Sequence, residues 1–168
     1  MKRIVVVLAA VLGMGSSGTA ISADEPMHHH HAAQAEAVAA DSEGVKDARQ
    51  LVKYPSALRI HTLTNMRDHL QTIGDIQAAL AAGSFDKASD LAEERLGMSS
   101  LEMHGAHEVA KFMPKGMQDA GTAMHHTASR LALVARDASV TGDLKSVLVA
   151  LNKLNQTCVA CHAQYRLQ

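Results

Sequence analysis

From Pro55 to the last residues of the chain, large apolar side chains recur at spacings of three and four, and no stretch alternates as a strand would. Leu63, Met66, Leu70, Ile73 and Leu80 form a first stripe, interrupted at Gln77 and ended by Gly83. Pro55 and Ser56 suit its first turn. Ser84 opens a second helix through Leu91 to Leu96, stopped at Gly97. Ser99 and Glu102 have capping-box spacing and predict a further helix toward Phe112, broken by Pro114. A third long helix is expected from about Lys115 to Val140, with Met117, Met124, Leu131 and Val134 on one face. Asp143 is placed to cap the last helix, whose stripe is Leu144, Val147, Leu151, Leu154, Cys158, Cys161 and Tyr165. Four amphipathic helices with short connections predict an all-α fold, an antiparallel four-helix bundle.

Composition agrees with close helix packing. With no Trp, two Phe and two Tyr in 168 residues, the core must come from Leu, Met, Ala and Val. A buried, flat apolar group would supply the large surface these side chains lack.

Residues 1–23 read as a secretory signal: Lys2 and Arg3, the apolar run Ile4 to Leu12, then a cleavage site at Ile21-Ser22-Ala23. The run is too short to span a bilayer. Residues 24–54, with His28-His29-His30-His31, read as a flexible tail, and 55–168 as the folded domain. Beyond the signal, 14 basic residues face 17 acidic ones, and without a basic block or stacking aromatics nucleic acid is not an expected partner. No second apolar run is long enough to cross a membrane.

The chain's two cysteines fall in Cys158-Val159-Ala160-Cys161-His162, the attachment pattern for c-type haem. Two thiols add to the two vinyl groups of the porphyrin, and the adjoining imidazole ligates iron from one face. In a helix these three side chains share a face, on the core side of the last stripe. A redox dithiol would want a βαβ context, and a zinc site a second Cys/His pair. Neither is present in the sequence.

The run Cys158-Val159-Ala160-Cys161-His162-Ala163-Gln164-Tyr165-Arg166 resembles the class II c-type cytochromes, the cytochrome c-prime group and its low-spin relatives, in which the haem motif lies in the last helix with an aromatic and a basic residue behind it. The similarity covers about residues 55–168. It implies a periplasmic protein with one covalent haem c, often dimeric, that passes electrons to a redox partner protein or binds diatomic gases. His162 would be the proximal iron ligand. The family takes its sixth ligand, or an apolar blocker, from the inner face of the first helix. Counting back from Gly83 selects Met66 as distal ligand, whereas counting from Arg59 selects Leu63 and five-coordinate iron. Met66 could also be plain core filler. Arg59 and Arg166 are candidate partners of the haem propionates, or ordinary surface charge.

Eleven histidines leave ten beyond His162. The 28–31 run has metal-binding composition of low specificity. His69 would rival Met66 only if the first helix were rotated. Met103, His104, His107, Met113, Met117, Met124, His125 and His126 surround Pro114, and His104 with His107 could share a copper-like ion. The plainer expectation is Met inside and His at the surface. A copper-binding helical protein is therefore a further alternative. No acid–base pair or activated nucleophile marks an enzyme.

Overall fold

The computed structural model describes residues 46–168. The signal at 1–23, the tail up to residue 45 and the 28–31 histidines lie outside the described residues. What is described is mostly helical. It comprises β1 (Gln50–Val52), α1 (Ser56–Ala81), α2 (Phe85–Leu96), a 3₁₀ turn at Met98–Ser100, α3 (Ala106–Ala110), α4 (Lys115–Thr141), α5 (Leu144–Gln164) and β2 (Tyr165–Leu167).

Local chemistry sets most of these boundaries. Pro55 and Pro114 precede α1 and α4 in extended conformation, with ψ of 145° and 149°. At the end of α1, Ser84 N–H bonds the Ala79 carbonyl at 2.8 Å and Gly83 N–H bonds that of Leu80 at 3.0 Å. This is the Schellman closure, and it puts Gly83 at φ +70°. Asp143 caps α5 by accepting from the Ser146 amide at 3.1 Å. The predicted capping box fails. Ser99 turns instead to the Glu93 carboxylate of α2, which accepts from both its amide and its hydroxyl. Between the 3₁₀ turn and Pro114 the helix is then only the short α3, opened by Gly105.

Helix α1 packs on α2, α2 on α4, and α4 on α5. The main core joins Ile76 and Leu80 of α1, Leu96 of α2, Met124 and Leu131 of α4, and Val147, Leu151 and Leu154 of α5. Alanines at 88, 92, 128, 132 and 135 let α2 and α4 approach closely enough for the Ser89 hydroxyl to donate to the Ala132 carbonyl at 2.9 Å. The α4 and α5 stripes lie close to their predicted faces. The α1 stripe is rotated. Leu70 is 74% exposed, while Thr62, Thr72, Ile76 and Ala79 are buried. Thr72 can turn inward because its hydroxyl returns to the Asp68 carbonyl at 2.8 Å.

A second cluster forms where α5 finishes. Val52, Tyr54 and Val109 are buried there, with Leu58, Met113, Met117, Tyr165 and Leu167 against them. Above it β1 and β2 pair in parallel, Gln50 opposite Tyr165 and Val52 opposite Leu167. Helix α5 therefore stops at Gln164, and Tyr165, expected on the helical stripe, is extended at φ −124° and ψ 147°. Gly116 of α4 leaves room at this point: a Cβ there would meet the Tyr165 hydroxyl, which would have to shift. The folded unit also starts earlier than the expected Pro55: it extends from Asp47.

Candidate functional site

The C-x-x-C-H segment occupies the last two turns of α5 in regular helix, so Cys158, Cys161 and His162 share one face. Both cysteines are unpaired and half-buried. Cys158 packs against the main core, and His162 is exposed. Burial pushes both thiols above their ordinary range, and for Cys161 the neighbouring Cys158 adds to it. The negative end of the α5 dipole also disfavours thiolate. Protonated thiols are the reverse of a redox-active dithiol or a zinc thiolate pair, which depend on S⁻.

The start of α1 flanks this segment. Arg59 Nε donates to the Gln168 carbonyl, just beyond β2. Leu63 and Met66 are half-buried and belong to neither apolar cluster. Arg166 lies 3.2 Å from Asp47, at an angle that leaves its buried Nε without a hydrogen bond. Both candidate propionate partners thus face this end of the molecule, and each has a neighbour within the chain.

Two residues that sequence reasoning passed over stand out, with a third that it had set aside. Tyr54 is 4% exposed, and its hydroxyl has no partner. Burial, followed by the proximity of Cys161, pushes it up to about 12. Thr62 buries an unpartnered Oγ1 on the inner face of α1. The third is His69, brought inward by the rotation of the helix. An aromatic residue immediately before Pro55, in a chain with so few, was the available signal for Tyr54. The two thiols and the adjoining imidazole on one helical face are the donor set that a covalently attached haem c would need, so the residues present fit that group.

The Met/His region resolves into a triad of two buried histidines, His104 and His125, and the half-buried His69. His69 of α1, His104 of the turn after the 3₁₀ segment and His125 of α4 face one another. Ring centroids are 4.6 Å apart for His69–His104, 5.6 Å for His104–His125 and 6.2 Å for His69–His125. His125 Nδ1 donates to the Leu96 carbonyl at 2.7 Å. His104 Nδ1 meets Ser100 Oγ at 3.2 Å. The Nε2 atoms of His69 and His104 are buried without a partner. Burial, then the imidazoles of His104 and His125, lower His69 to about 4, and the more remote His162 adds to the shift against the opposing Asp68. Burial likewise lowers His104 and His125. The expected His104–His107 pair is not formed, because His107 points to solvent. Among the described residues, no group of three or more His, Cys, Asp or Glu side chains is placed, as it stands, to hold a metal ion.

No family model, curated protein or solved structure matches the chain. Among the described residues, no helix is long and apolar enough to cross a membrane.

Proposed function

We propose that the protein is an exported, periplasmic monohaem c-type cytochrome, built as a four-helix bundle, that carries electrons. The observation that carries this reading is the C-x-x-C-H segment as α5 presents it: two unpaired, protonated, half-buried thiols and an adjacent imidazole on one helical face. Each S–H would add across one vinyl group of haem, making Cys158 and Cys161 its thioether anchors. His162 would ligate the iron on one side and Met66 on the other. The bound group supplies a one-electron iron couple, and a thioether ligand favours its reduced state. The chain's own part is to orient and shield. Leu63 and Met66 offer an apolar distal wall from α1. The Tyr54 hydroxyl and the guanidinium groups of Arg59 and Arg166 are donors for propionates. Val159, 60% exposed, leaves the outer side of the attachment turn open to a redox partner protein. A homodimer is part of the same proposal by resemblance.

The second reading keeps the scaffold, with Leu63 distal and five-coordinate iron that binds NO or CO.

Haem staining of the denatured protein tests the covalent link: a colourless band sinks the cytochrome reading. Optical spectra of the reduced protein with and without CO separate the two haem readings. Replacing Met66 by Ala is expected to convert a low-spin spectrum to a high-spin one with rapid CO binding. An unchanged spectrum would overturn the Met66 assignment.

A further inference from the structure

We infer that His69, His104 and His125 form a three-imidazole site for one divalent first-row transition ion of the zinc class, separate from the haem-attachment segment. Three elements distant in sequence bring these rings together. Hydrogen bonding fixes which nitrogen each of two rings presents. The Leu96 carbonyl can only accept, so His125 Nδ1 carries the proton and Nε2 of the neutral ring holds the lone pair. The single Ser100 hydroxyl proton is given to the Gly97 carbonyl at 2.7 Å. Ser100 Oγ therefore accepts from His104 Nδ1, again leaving an Nε2 lone pair. A backbone carbonyl or hydroxyl on one ring nitrogen, with the other free, is how metal-binding imidazoles are oriented.

His104 is 6% and His125 8% exposed, and the free Nε2 atoms of His69 and His104 are sealed from solvent. Spacing agrees as well. With metal–nitrogen bonds of about 2.0–2.1 Å and tetrahedral angles, three imidazole centroids would stand about 5 Å apart. The observed separations of 4.6, 5.6 and 6.2 Å bracket that value. The rings as they stand do not form a metal-holding group; the broad torsion of each imidazole about its last bond is the freedom by which the three Nε2 atoms would have to turn onto an ion. Three neutral nitrogen ligands with a fourth position for water match zinc or copper(II), not calcium or magnesium.

The test uses the full-length protein with His28, His29, His30 and His31 replaced by Ala, so that the tail binds nothing. After dialysis against chelator it is titrated with Zn²⁺ by calorimetry, and zinc is counted separately from iron after desalting. One retained zinc per chain is expected, together with a higher melting temperature. His104→Gln, His125→Gln and His69→Gln should each weaken binding about a hundredfold. His107→Gln and His126→Gln, in exposed neighbours, should not. If a triad variant fails to fold, the stoichiometry and thermal shift of the parent still decide. A parent that retains no zinc, or loses it equally with His107→Gln, overturns the site.

Discussion

His69 shows how a single residue changes meaning between sequence and structure. In the sequence it sits one position before Leu70, which belongs to the apolar stripe of α1, so the helical pattern turns His69 partly away. The structure turns His69 inward to a half-buried position and exposes Leu70, because Thr62 and Thr72 take inner positions that hydrophobicity alone would not assign them. A threonine hydroxyl that bonds its own helix, as that of Thr72 does, escapes a pattern built on apolar side chains. A consequence follows for pH. His69 binds its proton at about 4 in the folded chain, against an ordinary 6.5. The unfolded chain therefore takes up protons first as pH falls. The stability this residue contributes is complete above about pH 6.5 and is lost between there and about pH 4, in all roughly 3 kcal/mol. His104 and His125 act in the same direction. The melting temperature should fall between pH 7.5 and 5, and His69→Gln should flatten that dependence. A parent profile flat over this range would show that these rings are not buried neutral.

At the scale of elements, helix existence and most helix ends were legible. Pro55, Gly83, Pro114 and Asp143 act locally, and each does so here as its chemistry dictates. The exception is instructive: the Ser99–Glu102 box has the right spacing, but Glu93 on the preceding helix takes the serine. Capping competes with tertiary partners, and a local pattern cannot register them. The Asp143 cap faces no such rival. Asp143→Ala should cost about 1 kcal/mol, with fraying confined to the first turn of α5, measured by denaturant unfolding and amide exchange. Leu131→Ala, at the fully buried centre of the α4 and α5 contact, should cost about 2–5 kcal/mol. A loss below 1 kcal/mol at Leu131 would mean that the core closes differently.

At the scale of the molecule, the all-α character was legible and the strand ladder was not. Three-residue strands carry too few side chains for a period of two to emerge, and their pairing joins segments separated by the entire helical domain. The same blindness set the expected domain start at Pro55, leaving Val52 and Tyr54 outside it. The candidate site divides along the same line. The attachment segment is contiguous and could be read directly, whereas Tyr54 and the imidazole triad are assembled by the fold. Val52 is 3% exposed, so Val52→Asp would bury an unpaired carboxylate. Amide exchange should then rise together at Gln50–Val52 and Tyr165–Leu167, with α4 unaffected. Continued protection of Tyr165–Leu167 would show that β1 is not what holds that segment.

The parallel sense of this ladder has a mechanical consequence. The segment entering β1 and the segment leaving β2 depart from opposite ends of the paired strands. Tension applied between residues 46 and 168 therefore loads all the inter-strand bonds at once, in shear. An antiparallel pair at the same place would be peeled open one bond at a time. Three residues of sheet thus serve as a clasp, and while it holds, the turn carrying Cys158, Cys161 and His162 is shielded from strain along the chain.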